Sequence, residues 1–307
     1  MASLAVDWGE EDVVLPRQQR GFQPQHLLLT LLGDYWFRRD EHLPSAALVR
    51  LLAEFRISPA SVRAALSRLS RRGLLTSSKS GRRTYYGPSP QATKLLAEGR
   101  QHILTFGTRE SAWDGAWTLA VFSIPERERH IRHVLRARLR WLGFAPLYDG
   151  VWVSPHKLAE AAKEVLTELG VEMATIVVGE VVPGGLRLGN PIEAWDLEEL
   201  RGHYEGFLDE FTPLLDRMRA GQVGASEAFV SRTALMDAWR NFPNLDPELP
   251  PALLPDQWPR AAARTMFIEL YDGLGSLAEV RVRQILREFD PELARVVTHH
   301  TTADLEG

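Results

Sequence analysis

Between Arg56 and Tyr86 the chain carries eight basic residues and no acid: Arg56, Arg63, Arg68, Arg71, Arg72, Lys79, Arg82 and Arg83. Like charges this dense repel, so they must face outward and they favour a surface that brings counter-charge. The punctuation of the stretch gives it a form. Ser58 suits a helix N-cap, where its hydroxyl satisfies an orphan amide. Pro59 suits the first helical position, where a missing N–H costs nothing. Gly73 is a helix stop. Val62, Leu66 and Leu69 recur at helical spacing and make one apolar face. The other side carries Ala60, Ala64, Ser67, Arg68 and Arg71, flanked by Ser61 and Arg63.

Beyond Gly73, residues 74–77 and 84–86 read as two short strands around a basic tip, Lys79-Ser80-Gly81-Arg82-Arg83. A basic helix alone is usually a solvated face. A helix, a stop and a basic hairpin without an acid instead have the footprint of a nucleic-acid surface. The expected form is a winged helix-turn-helix, with this helix in the major groove and the hairpin as its wing. Expected contacts from the helix are Ser58, Ser61, Arg63, Ala64, Ser67, Arg68 and Arg71. From the hairpin they are Lys79, Arg82, Arg83 and Tyr85. Arginine can bridge O6 and N7 of guanine, and wing cations can hold phosphates.

Charge is distributed unevenly. The 307 residues sum to −4, yet residues 21–110 hold 14 Lys plus Arg against 6 Asp plus Glu, a surplus of eight, so the rest carries −12. A basic end on an acidic body fits a DNA-binding part joined to a part with another task. The length points to two or three domains. With no cysteine, disulfides, thiol catalysis and thiolate zinc sites are excluded. No stretch approaches ~18 uninterrupted apolar residues, so no spanning helix is expected. The start lacks a basic-then-apolar signal pattern, and the expected compartment is the cytoplasm.

In chain order, residues 1–20 are expected to be a flexible tail. Leu27, Leu28, Leu31, Leu32 and Tyr35 mark a first helix; Leu43-Pro44-Ser45 is a break with Ser45 as a possible cap; Leu48, Leu51, Leu52 and Phe55 mark a second. The basic helix and hairpin complete a domain over residues 21–87. Residues 88–108 read as a linker helix with Leu95, Leu96 and Ile103 on its apolar side. Next come a strand over 117–124, an arginine-rich helix over 126–142, and a strand pair broken at Asp149-Gly150, a hairpin signal. A helix to Leu169 and a strand over 171–182 follow. This is the βαββαβ order of a ferredoxin-like domain, residues 109–190. Residues 191–307 read as an α-helical C-terminal domain, with residues 298–307 frayed. The fold class is therefore α+β.

The motifs VRAALSRLSRRGLL with GRRTYY, WTLAVFSIPERERHIRHVLRARLRWLGF, LYDGVWVSP, and AFVSRTALMDAWRNFPNLDPELPPALLPDQWP occur in this order. On them the chain resembles the phenylacetic acid degradation repressor family, the PaaX-like regulators, over nearly its whole length. Arg260 departs from the pattern, which has a glycine after Trp258-Pro259. The resemblance implies a winged helix, a middle domain similar to the small ferredoxin-like CRISPR adaptation protein, and a family-specific helical domain. It also implies a dimeric repressor of a catabolic operon, bound to a double-stranded DNA operator and released by an acyl-CoA effector such as phenylacetyl-CoA. Tyr204, Arg232, Trp239, Arg240, Trp258 and Arg260 mix aromatics with arginines, as an aryl group and phosphates would need. Alternatively they form a helical core with arginines at its rim.

A nuclease built on the middle domain would need a carboxylate at the end of its first strand. Here that strand ends Phe122-Ser123-Ile124-Pro125, with Asp114 before it and Glu126 after it, so converging oxygen ligands are lacking. His130 and His133 have metal-sharing spacing, but the surrounding arginines disfavour a cation. No catalytic residue, metal or cofactor is expected. The arginines of residues 127–140 could touch DNA or coenzyme A phosphates, or form a dimer or solvated face. The readings carried forward are a ligand-responsive repressor, a metal-dependent nuclease, and a ligand-independent architectural DNA binder.

Overall fold

The computed structural model describes residues 23–108, 112–181 and 190–306, the side chains of 305 and 306 excepted. The expected tail of residues 1–20 lies outside the described residues. The described chain divides into two compact units, one within Trp113–Trp195 and one combining Phe22–Ala112 with Asp196–Gly307.

The larger unit starts with α1 (Pro24–Tyr35), whose Leu27, Leu28, Leu31, Leu32 and Tyr35 are all buried. A two-residue strand, β1 (Leu43–Pro44), leads into α2 (Ser45–Ala53). Two expectations need correction here. Leu43-Pro44 is a strand rather than a mere break, and Ser45 opens α2 without capping it: Pro44 holds the cap position and no side chain bonds the first turn. Next come α3 (Pro59–Arg71), β2 (Leu75–Ser80), β3 (Arg83–Pro88) and α4 (Pro90–Thr105). The sheet runs β1-β3-β2 and is antiparallel, with Leu43 opposite Tyr86 and Ser80 opposite Arg83.

The C-terminal helices belong to the same unit: α7 (Leu197–Arg219), α8 (Ala225–Trp239), α9 (Phe242–Leu245), α10 (Arg260–Gly273), α11 (Gly275–Arg287) and α12 (Pro291–Val296). One apolar core joins them to α1, α2, α3 and α4, from Leu27 through Leu66, Leu104 and Phe229 to Val297. The segment expected to be a linker thus contributes to that core through Ala92 and Leu104. Within α7, Leu200, Tyr204, Phe207, Phe211 and Leu215 are buried and Leu214 is half-buried.

The expected frayed end is also corrected, because residues 298–304 dock. Arg232 donates to the His300 carbonyl at 2.5 Å, and Thr302 bonds Asp272 through its amide at 2.8 Å and its hydroxyl at 2.7 Å.

The smaller unit runs β4 (Trp117–Phe122), α5 (Arg129–Trp141), β5 (Ala145–Tyr148), β6 (Val151–Ser154), α6 (Ala159–Glu168) and β7 (Ala174–Gly179). Its antiparallel sheet has the order β5-β6-β4-β7. Leu135 and Leu139 of α5, with Ala162 and Leu166 of α6, pack on Ala120, Phe122 and Trp152 of the sheet. This βαββαβ unit fits a ferredoxin-like fold, and the chain as a whole is α+β. Among the described residues no helix is long and apolar enough to cross a membrane.

The β5–β6 turn depends on Gly150. Its φ is +77°, and a Cβ there would stand 2.6 Å from the Phe122 carbonyl oxygen. Gly150→Ala combines left-handed strain with a backbone clash, so it should cost roughly 1–3 kcal/mol. Urea denaturation followed by tryptophan fluorescence checks this; an unchanged midpoint contradicts it.

Candidate nucleic-acid interface

The basic stretch folds as its punctuation dictates. The Ser58 hydroxyl accepts from the Ser61 amide at 3.2 Å, Pro59 is the first residue of α3, and Gly73 takes φ +72° just past its end. Val62, Ala65, Leu66 and Leu69 are buried, and both α1 and α2 pack against α3. Ser61, Arg63, Ala64, Ser67, Arg68 and Arg71 are left exposed on the outer side, with Ser58 exposed at its start.

The hairpin is longer and tighter than expected. β2 and β3 enclose only Gly81 and Arg82, so Lys79 lies within a strand, opposite Thr84. Gly81 has φ +60° and Arg82 does not have positive φ, the glycine-first type II′ turn that matches strand twist. Lys79, Arg82 and Arg83 are exposed and Tyr85 is half-buried. His42 braces the outer strand. Its Nδ1 lies 2.9 Å from Ser78 Oγ and its Nε2 lies 3.1 Å from Thr76 Oγ1. A Cβ at Gly87 would strike the same ring at 2.3 Å.

Charge separates this face from the rest. Among the described residues, none of Arg63, Arg68, Arg71, Arg72, Lys79, Arg82 and Arg83 makes an ion pair or a side-chain hydrogen bond. By contrast, the arginine-rich helix is largely neutralised. Arg132 meets Glu126 at 3.1 Å, Arg136 meets Asp149 at 2.5 Å, and Arg138 meets Glu168 at 2.6 Å. Arg140 lies over the Trp152 ring. Asp114 pairs with Lys157 at 2.9 Å.

The residues expected to hold a ligand fall into separate groups, each with partners in the protein. Asp246, 2 % exposed, accepts from the Tyr204 hydroxyl at 2.5 Å and from Arg260 at 2.6 and 2.8 Å. Arg260 also donates to the Leu249 carbonyl at 3.1 Å. Burial and the Asp246 charge push the Tyr204 phenol well above its ordinary value. Trp258 stands edge-on to Tyr204. Trp239 is buried, stacked on Phe267 and bonded to the Ile103 carbonyl. Arg240 pairs with Asp237 at 2.7 Å. Arg232 lies apart, fully buried, with its guanidinium 3.7 Å from the Tyr271 ring centroid and 3.5 Å from Asp34. Tyr204, Arg232, Trp239 and Arg260 are thus bonded and packed by the protein itself.

Comparison with known proteins places this architecture. Three family models match in order: PaaX-like protein over residues 23–92, PaaX protein central Cas2-like domain over 110–187, and PaaX-like protein C-terminal domain over 195–284. The chain belongs to the PaaX-like family. The Escherichia coli (strain K12) protein named transcriptional repressor PaaX is 28% identical over 258 residues, covering 82% of this chain and 80% of that one. The uncharacterized protein Rv0674 from Mycobacterium tuberculosis shares the fold with a TM-score of 0.55 at 23% identity, covering 84% of this chain and 97% of that one. The boundaries of the PaaX-like models follow the described elements: the first spans α1 to the start of α4, and the second contains the ferredoxin-like unit.

One residue that sequence reading passed over ties the basic face of this PaaX-like chain to its C-terminal helices. Glu54, directly after α2, accepts from Arg50 at 2.7 Å, Ser226 of α8 at 2.6 Å and Arg281 of α11 at 2.8 Å. The only local signal was the i,i+4 pair with Arg50. Hydrogen bonds from Arg281 outweigh partial burial and hold the Glu54 carboxyl down to about 2. Because the folded value is depressed, this cluster stabilises above the unfolded value and loses its effect as pH falls from about 4.5 towards 2. Glu54→Gln should therefore lower the melting temperature at pH 7, and the gap to wild type should narrow steadily below pH 4.5. A gap independent of pH in a calorimetric series contradicts this assignment.

Proposed function

We propose that the chain is a DNA-binding transcriptional repressor. The observation that carries this reading is the unpaired basic face: seven exposed cations on α3, its end and the hairpin, none neutralised by a described acid. Family membership and the name of the Escherichia coli relative support it. In this reading residues 24–88 form a winged helix-turn-helix, with α2 and α3 as the two helices and β2–β3 as the wing. Arg63, Ser67, Arg68 and Arg71 face base edges, helped by Ser61 and Ala64, whose small side chains allow close approach. Ser58 contacts the backbone at the start of α3. Lys79, Arg82, Arg83 and Tyr85 contact backbone at the wing. The protein acts as a homodimer, since two such helices placed about one helical turn apart (~34 Å) read a palindromic or repeated operator. It is a regulator rather than an enzyme.

Family membership also supports an acyl-CoA thioester as the effector that releases DNA. A coupling of ~1–3 kcal/mol between effector and operator would change DNA affinity about 5–150-fold. Thermal shift against a panel of acyl-CoA esters tests this, because a ligand at ~100 times its dissociation constant should add ~2.7 kcal/mol of stability. No response to any ester favours the architectural reading.

The interface assignment has its own test. Arg82→Ala should weaken binding to all sequences and lower the salt slope by about one unit. Arg68→Ala should cost ~1–3 kcal/mol on the operator and relax preference at one base pair. Fluorescence anisotropy titrations at several salt concentrations measure both. An unchanged slope removes the wing from the interface.

A further inference from the structure

A cavity of about 330 Å³ opens between the residues after α1, helix α4 and the C-terminal segment. It is lined by Phe37, Arg38, Arg39, Arg100, His300 and Asp304, with Thr298. Three guanidinium groups thus meet one carboxylate. The carboxylate is already engaged: Asp304 accepts from the Thr301 amide at 2.6 Å and hydroxyl at 3.0 Å. Phe37 forms an aromatic wall, with Arg38 and Arg100 at 5.2 and 5.3 Å from its centroid and His300 edge-on at 5.7 Å.

Arg39 and Arg100 are half-buried and Arg38 is exposed. Elsewhere the half-buried Arg138, Arg240 and Arg281 each meet a carboxylate. Here Arg38, Arg39 and Arg100 make no ion pair among the described residues, and Arg100 reaches only the Thr301 carbonyl, at 3.2 Å. His300 Nε2 is buried and has no hydrogen-bond partner. Burial, then Arg100, push this imidazole down to about 4, so it is neutral at pH 7. The cavity then carries a surplus of two positive charges, which matches the roughly −1.5 to −2 of a phosphate monoester. Its volume lies at the lower end of ligand pockets, ~300–1,000 Å³.

We propose that this cavity is an anion-binding site that takes a phosphate-bearing ligand, with Arg38, Arg39 and Arg100 on the phosphate and Phe37 against its apolar part. The inference stands independently of the repressor reading. Its place in the fold gives it reach. Arg100 lies on α4, which continues directly from β3 of the basic hairpin, and α1 packs against α3. A bound phosphate would fasten α4 to the C-terminal segment.

The test uses the full chain and calorimetric titration with inorganic phosphate and pyrophosphate, at constant ionic strength in chloride. Saturable binding is expected, stronger for pyrophosphate. Arg39→Ala and Arg38→Ala should each weaken it at least about tenfold while leaving the ligand-free melting temperature near wild type, since neither side chain has an acidic partner. Arg100→Ala should do the same, with some loss of stability from its bond to Thr301. Arg68→Ala and Arg82→Ala, on the exposed basic face, should leave anion affinity unchanged. The proposal is overturned if wild type shows no saturable binding. It is equally overturned if affinity falls with Arg68 or Arg82 and not with Arg38 or Arg39.

Discussion

The larger unit depends on one buried core shared between its N-terminal and C-terminal helices. α1, α2 and α3 offer apolar faces from Leu27 to Leu69, and α8, α10 and α11 supply Phe229, Phe267 and Ile285 against them. Fully burying such side chains is worth ~1.5–3 kcal/mol each, less the entropy of ordering them. The basic helix packs on α1 and α2, which in turn pack on α8 and α11. Whatever shifts α8 or α11 acts on the seating of α1 and α2, and through them on α3.

Polar groups within that core set its register. Asp34 and Tyr35 of α1 meet Arg232 of α8 and Tyr271 of α10, with the Tyr271 hydroxyl 2.7 Å from Asp34. Burial raises the Asp34 carboxyl, although Arg232 and the Tyr271 hydroxyl work against it. Removing one member would strand the others without water, at several kcal/mol. Glu54 does the same at the unit's surface, with Ser226 and Arg281. Neither cluster involves a cation of the basic face. No described acid meets the seven cations of this face, which leaves their charge open to an anionic partner.

The Tyr204–Asp246–Arg260 cluster shows what composition alone leaves open. Aromatics and arginines in one stretch describe both a ligand pocket and a helical core with arginines at its rim. In this chain an acid sits among them, and Asp246 takes both Tyr204 and Arg260. The Arg260 guanidinium fork closes on that carboxylate from the first turn of α10.

Local chemistry determined much by itself. The Ser58 cap, the Pro59 start, the Gly73 stop, the exposed cations of α3 and the βαββαβ order all rest on spacings within a few residues, where sterics and amide satisfaction decide. The Leu43–Pro44 strand, the docked C-terminal segment, the Glu54 cluster and the gathering of Arg38, Arg39, Arg100 and His300 had no such signal. Each pairs residues far apart along the chain, as Arg100 and Thr301 are 201 positions apart. A charge's meaning depends on what lies within a few ångströms of it, because Coulomb attraction and desolvation both act at that range. The sequence alone showed that this chain is basic at one end; only the tertiary structure decided which of its arginines are already paired.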